Sequence, residues 1–316
     1  MIASLSLDLD NKWSYMKTRG DARWSAFPSY LPIVVPRVLD ILKRRRQSIT
    51  FFVVGQDAAL QQDRAVLRSI AEAGHEIGNH SFHHEPWLHL YTPEQIDREI
   101  ASAEEAIAEA TGFRTRGFRG PGFSMSPDVL ATLARRGYAY DASTFPTFLG
   151  PLARAYYFMT AKIGEQEAEE RKQLFGSLSD GLRPLHTYSW RVANRELLEI
   201  PVTTMPLLRT PIHASYILYA ASFAPALAKA YFRLALSLCA MAKVQPSLLL
   251  HPLDFLTLAE APELEFFPAM RMPLDQKLRM MDFILDEFSS RFEVLNMGAH
   301  ARAAVSDPLG VRRVAA

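Results

Sequence analysis

The sequence predicts an α/β protein built on a parallel sheet, with closure into a barrel favoured. Three observations carry this. Short apolar strands alternate with longer amphipathic helices along most of the chain. In the first half, each helix stops at a glycine just before the next strand. Seven or eight such units fit a barrel better than a dinucleotide-binding fold, and no Gly-rich nucleotide fingerprint follows the first strand.

The elements follow in order. The first strand, "IASLSLDLD", ends with Asp8 and Asp10. Residues two apart share one face of a strand, so these carboxylates stand side by side and need a cation or a shared proton. A helix around "VVPRVLDILKRR" leads to the strand "SITFFVVG", and the basic run at 42–47 is that helix's solvated end. "DRAVLRSIAEAG" closes at Gly74 before the strand "HEIGNH". "TPEQIDREIASAEEAIAEATG" opens with Thr92 as N-cap, Pro93 in the first helical position and Gln95 completing a capping box, and it closes at Gly112. "SPDVLATLARRG" starts from Ser126 and Pro127, stops at Gly137 and leads into "YAYDAS". "LLEIPVT", "SLLLHPLDF" and "RFEVLNM" are later strands. A charged helix-like run, "AKIGEQEAEERKQLFG", breaks the alternation. The expectation is one domain over 1–300 with a helical insertion at about 145–245, followed by a peripheral tail at 301–316.

Composition narrows the function. Lys+Arg at 35 against Asp+Glu at 34 makes no electrostatic case for nucleic acid. The single Cys239 excludes a disulfide framework within the chain and a cysteine-based zinc site, and suits a reducing compartment. No basic and apolar leader precedes the first strand, so a cytoplasmic location is expected. Residues 214–243 are strongly apolar, yet Pro225, Lys229 and Arg233 interrupt them, which rules out a membrane span. Leu227, Tyr231, Leu234, Leu238 and Met241 form one stripe at helical spacing. That stripe packs on the core, or it makes a peripheral contact with a membrane or a lipid-bearing substrate.

Chemistry in a parallel α/β barrel gathers where strands end. Those ends supply Asp8, Asp10, His80, His83, His84, Arg119 with the Pro121–Gly122 turn, Asp141 and His251. His80 and His84, four apart, converge on one ion if the segment after the strand turns helically. Adding a carboxylate gives an open set of two His and one Asp. Zn²⁺ is the commonest hydrolytic choice for such ligands, with Co²⁺, Ni²⁺, Mn²⁺ and Fe²⁺ also accepted. His83 lies off that face and is structural, and His75 and His89 are surface or packing residues.

The order Asp-x-Asp, His-Ser-x-x-His, Arg-x-Pro-Gly, Tyr-Asp-x-Ser and Leu-x-x-His resembles the polysaccharide deacetylase (NodB-homology) family of metal-dependent amide hydrolases. The likeness covers about 1–145 and 247–256 and implies a distorted barrel of about seven parallel strands. By that resemblance Asp10, His80 and His84 hold the metal. Asp8 is the general base for the attacking water, and His251 is the general acid for the leaving amine. Arg119 orients Asp8, and the Gly122 amide beside Pro121 helps hold the oxyanion. Asp141 pairs with Arg119 or His251, or caps the next loop. Such a set suits amide hydrolysis, which needs an activated water, a stabilised oxyanion and a proton for nitrogen.

The family's common first motif has adjacent aspartates, whereas Leu9 separates them here. In this the chain is similar to the deformylases of lipid-linked aminoarabinose and to some peptidoglycan deacetylases. The expected activity is N-deacetylation of an amino-sugar glycan, lipid-linked or small. The alternatives are deformylation of a lipid-linked amino sugar, a small-molecule amidohydrolase, and a non-catalytic barrel that binds glycan or lipid.

Overall fold

The computed structural model describes residues 1–150, 178–192, 194–306 and 311–315. The charged run at 161–176 lies outside them. The strands are β1 (Ile2–Leu9), β2 (Thr50–Val53), β3 (Glu76–Asn79), β4 (Gly117–Phe118), β5 (Tyr140–Asp141), β6 (Tyr188–Val192), β7 (Arg195–Glu199), β8 (Ser247–Leu250), β9 (Glu293–Leu295) and β10 (Arg312–Ala315). The helices are α1 (Lys12–Thr18), α2 (Leu31–Arg45), α3 (Gly55–Ala59), α4 (Gln61–Glu72), α5 (Pro93–Thr111) and α6 (Pro127–Arg136), then α7 (Ala214–Ala221), α8 (Pro225–Met241), α9 (Leu274–Ser289) and α10 (Met297–Val305).

The sheet runs β10-β6-β7-β5-β4-β3-β2-β1-β8, with β9 pairing to β1 off this path. From β7 to β8 the seven consecutive strands are all parallel, as the barrel expectation required. Among the described residues, however, hydrogen bonds do not close the sheet; β10 and β8 are its two ends. The stretch at 145–245 is also not wholly helical, because β6 and β7 form an antiparallel hairpin that continues the sheet. Nor does a tail begin at 301. α10 runs through that position with Ala301 and Ala304 buried, and β10 pairs with β6.

Strand β1 shows how the sequence divides two environments. Ala3, Leu5, Leu7 and Leu9 enter the core that also holds side chains of α2, α4, α7, α8 and α9. Ser4, Ser6, Asp8 and Asp10 alternate with them and are buried on the opposite side. There Ser4 meets His300 at 2.9 Å and Ser6 meets Arg119 at 2.9 Å. Helix boundaries follow local chemistry. Thr92 and Gln95 form the reciprocal capping box of α5, and Ser126 caps α6 through the Val129 N–H. Gly112 and Gly137 end these helices in the left-handed conformation.

The apolar stretch folds as α7 and α8, and Pro225 opens α8 instead of interrupting it. α8 buries Ala228, Phe232, Ala235, Leu236 and Cys239. Burying a phenylalanine is worth about 1.5–3 kcal/mol relative to exposure, so this face anchors the helix. The stripe seen in the sequence divides: Tyr231 and Leu238 pack half-buried against the core, whereas Leu227, Leu234 and Met241 are 72%, 55% and 79% exposed. Among the described residues no helix is long and apolar enough to cross a membrane.

Candidate metal and catalytic site

The site is built at the C-terminal ends of β1 and β3. Asp10 directly follows β1 and His80 directly follows β3; parallel pairing of both strands with β2 brings them together. Asp10 Oδ1 lies 3.2 Å from His80 Nε2 and 2.9 Å from His84 Nε2. One ligand atom from each of the three residues fits within 4.8 Å of the others, and all three residues are buried.

The two imidazoles do not converge through a helical turn. The segment after β3 is a loop in which Ser81 and His84 adopt left-handed φ of 60° and 51°. Polar contacts pin it: the Ser81 N–H donates to Asn79 Oδ1 at 2.8 Å, and the Phe82 and His83 N–H groups donate to Glu99 Oε2 at 3.2 and 3.0 Å. The His83 ring also pairs with Glu99, which fits a structural role. His75 Nδ1 accepts from the Ile49 N–H at 3.2 Å, and His89 meets Ser124 at 2.8 Å. Both belong to the packing.

The donor set suits a cation. His80 Nδ1 lies 2.6 Å from the Arg119 carbonyl, so Nδ1–H donates there and the Nε2 lone pair faces the Asp10 carboxylate. Two lone pairs aimed at each other require a proton or a metal ion between them. His84 Nδ1 has no hydrogen-bond partner among the described residues. Burial opposes the Asp10 carboxylate, yet His84 and His80 outweigh it and hold its pKa well below the usual range. Burial also opposes the His80 imidazolium, but Asp8 and Asp10 outweigh it and raise its pKa. This negative field is the one a divalent ion would meet.

Asp8 takes a different environment from Asp10. Arg119, fully buried, places Nη1 2.8 Å from Asp8 Oδ1 and lies 4.5 Å above the Phe52 ring. Its Nε donates to the Ala142 carbonyl at 3.0 Å. Asp8 Oδ2 remains 3.9 Å from His80 Nε2. One carboxylate thus joins the imidazoles, and its neighbour is held by a guanidinium.

The Arg119–Gly122 turn completes this wall. Phe123 and Ser124 N–H bond back to Gly120 and Pro121, so the Gly122 N–H takes no part in closing the turn. Gly122 has φ 56°, and an added Cβ would approach Pro86 Cβ to 3.0 Å. Pro121 is buried beneath it. Asp141 caps the loop after β5 and forms no bond to Arg119 or His251 among the described contacts. It accepts from Ser143 Oγ at 2.6 Å, and Ser143 Oγ in turn accepts from the Gly120 N–H at 2.8 Å. Burial, with Glu199 nearby, raises the Asp141 pKa well above the carboxylate range. Its place is behind the turn.

His251 follows β8, and its surroundings were not legible in the sequence. Ser215 at the start of α7 donates to Asp254 Oδ1 at 2.7 Å and lies 3.0 Å from His251 Nδ1. Asp254 Oδ2 also accepts the His251 N–H at 2.8 Å. The chain His251–Ser215–Asp254 therefore orients the ring with Nδ1 tied back. His213 packs 5.5 Å from His251, and burial drives its pKa well down. Tyr15 donates to Asp10 Oδ2 at 3.0 Å and Tyr30 donates to the Asp10 carbonyl. Asn11 and Trp13 donate to buried Asp57 at 2.9 and 2.8 Å. Sequence spacing carried no signal for Tyr15, Tyr30 or Ser215, which reach the site from outside the strand ends.

Part of the chain is similar to known proteins. The polysaccharide deacetylase family model matches residues 21–140, a span holding His80, His84 and Arg119 but not the β1 aspartates or His251. The peptidoglycan-N-acetylmuramic acid deacetylase PdaA of Bacillus subtilis is 38% identical over 104 residues, 33% of this chain and 38% of its own length. A chitooligosaccharide deacetylase of Bradyrhizobium is 38% identical over 109 residues, 34% of this chain and 48% of its own. The chain thus spans less than half the length of these curated relatives. Among solved structures, a Mycobacterium smegmatis protein assigned to the polysaccharide deacetylases superposes with a TM-score of 0.59 at 21% identity, covering 99% of this chain and 94% of that one. That likeness is one of fold. Residues 21–140 thus match the polysaccharide deacetylase family model, on a fold shared with that solved structure.

Proposed function

We propose that the protein hydrolyses the N-acetyl amide of an amino-sugar glycan, with a divalent metal held by Asp10, His80 and His84. The observation that carries this is the division of labour at the end of β1. Asp10 faces two imidazoles within 3.2 Å, while Asp8 beside it is kept apart by Arg119 at 2.8 Å. A purely structural carboxylate pair has no need of that asymmetry.

Bound there, the ion supplies a Lewis acid and lowers the pKa of a coordinated water; two imidazoles and one carboxylate with open positions suit Zn²⁺. The chain's own groups do the rest. Asp8, oriented by Arg119, takes the proton of the attacking water. The Gly122 N–H, free of the turn's own bonds, donates to the oxyanion. His251, oriented through Ser215, returns a proton to the departing nitrogen at Nε2. The relatives named above are peptidoglycan and chitooligosaccharide deacetylases, which supports an acetylated amino sugar as the substrate class.

The test is release of acetate against formate from chitooligosaccharides and peptidoglycan fragments by the purified, zinc-loaded chain. Acetate release is expected, with chelation abolishing it and Asp8→Asn lowering kcat by about 10²–10⁴-fold. His80→Ala should carry less than about a tenth of the wild-type metal. Undiminished metal in that variant, or no acid released from any amino sugar, overturns the reading.

A further inference from the structure

A line of aromatic side chains leaves the site along the exposed side of α7. His251 packs 5.5 Å from His213, and His213 packs 4.4 Å from Tyr216. Further along, Tyr219 packs 5.4 Å from Phe223. Tyr216, Tyr219 and Phe223 are 39%, 48% and 72% exposed. Phe223 reaches an open cleft of about 800 Å³ between the α7–α8 turn, the loop before α9 and α9 itself.

The cleft's chemistry is that of an amphiphile with a negative head. Phe223, Phe266, Met272 and Met280 supply apolar lining; Lys229, 4.9 Å from the Phe283 ring, and Arg271 stand in it with no ion pair among the described residues. Arg279 is bound by Asp275 at 2.8 Å, and Glu265 is the one acid among the described lining residues. The neighbouring acids are already engaged: Asp282 and Asp286 by Arg45, and Glu287 by Arg233 and Arg291. Residues 214–243 contain Lys229, Arg233 and Lys243 and no Asp or Glu. From the cleft, Leu227, Leu234 and Met241 continue the exposed apolar line along α8. They are seven residues apart, so the line is about 21 Å long and nearly parallel to the axis.

We propose that this face is a contact surface for anionic lipid. Headgroup phosphates meet Lys229 and Arg271 in the cleft, and acyl chains meet Phe223, Leu227, Leu234 and Met241, with α8 lying along the surface. A second copy of the chain fits less well. A two-fold contact through this patch would bring both copies' Lys229 and Arg271 together. The aromatic line then connects the lipid surface to the site, so the glycan is one presented on a lipid. This last step rests on the function proposed above, whereas the lipid contact does not.

The experiment is co-sedimentation of the full chain with vesicles of phosphatidylcholine alone and of phosphatidylcholine with phosphatidylglycerol, with light scattering for mass. Binding is expected to the phosphatidylglycerol vesicles and at most weakly to the others. Lys229→Ala with Arg271→Ala should weaken it about 30-fold, and Leu227→Asp at least about tenfold. Leu227→Asp leaves the melting temperature unchanged, since Leu227 is 72% exposed, and the double variant lowers it by no more than the loss of the Lys229–Phe283 contact. No binding, binding indifferent to these changes, or a dimer that Leu234→Lys dissociates would overturn the proposal. If soluble chitooligosaccharide is deacetylated without vesicle binding, the lipid contact fails and the hydrolase stands. Vesicle binding without any acyl release gives the reverse.

Discussion

Replacing Arg119 by Met isolates the contact on which the site's division of labour depends. Arg119 is fully buried and makes four polar contacts, to Asp8 at 2.8 Å, Ser6 at 2.9 Å, the Ala142 carbonyl at 3.0 Å and Met297 Sδ at 3.5 Å. Methionine keeps the packing on Phe52 but leaves Asp8 a buried carboxylate with His80 Nε2 3.9 Å away in place of the guanidinium. Breaking a buried ion pair by removing one partner costs about 3–5 kcal/mol. The orphaned carbonyl and hydroxyl overlap with that figure and are not added to it. At roughly 2.1 cal/mol/K per residue over 316 residues, a loss of about 4 kcal/mol lowers the melting temperature by about 6 °C. The assay is urea unfolding of metal-free protein, in a double-mutant cycle with Asp8→Asn. Asp8→Asn should restore part of the loss, because the stranded charge is then gone. A cost under about 1 kcal/mol, or effects that add within about 0.5 kcal/mol, would refute the claim that Arg119 and Asp8 form a coupled buried pair.

Two further outcomes follow from the groups around the site. Asp57 is pushed up to about 7 by burial. Because the folded value is raised, its contribution to stability is present below the unfolded pKa of about 3.9 and is lost as pH climbs through about 7. Asp57→Asn keeps the acceptor for Asn11 and Trp13, so the variant should gain about 2–4 kcal/mol on the wild type between pH 5 and pH 8; a pH-independent difference in urea unfolding would count against this. Ser215→Ala removes the tie on His251 Nδ1. Chitooligosaccharide kcat should fall about tenfold while KM holds. A loss confined to KM would make Ser215 a substrate contact instead.

Much of this was legible in the sequence where local chemistry sets the outcome. Alternation in β1 identified the two acids as neighbours, and caps at Thr92, Ser126, Gly112 and Gly137 marked the helix ends, because each signal acts within a few residues. The rest depends on distant contacts. The loop that converges His80 and His84 is shaped by Glu99 of α5, which no local spacing announces. Strands β4 and β5 have two residues each, too few for an alternation to register. The α8 stripe was seen but its direction was not. The helix is apolar on both sides, so periodicity cannot tell the Phe232 face from the Leu234 face. Asp141 resembled a site acid until its partner proved to be Ser143, within its own loop.

Strand β1 also sets a limit on how such chains can change. Its odd positions fill one compartment with leucine, and its even positions run from Ser4 and Ser6 to the two aspartates in the other. Deleting or inserting a single residue between Ala3 and Leu9 would turn the leucines toward the polar interior and send an acid into the leucine layer. Length variation among relatives should therefore fall to either side of this strand, while within it only same-parity exchanges survive.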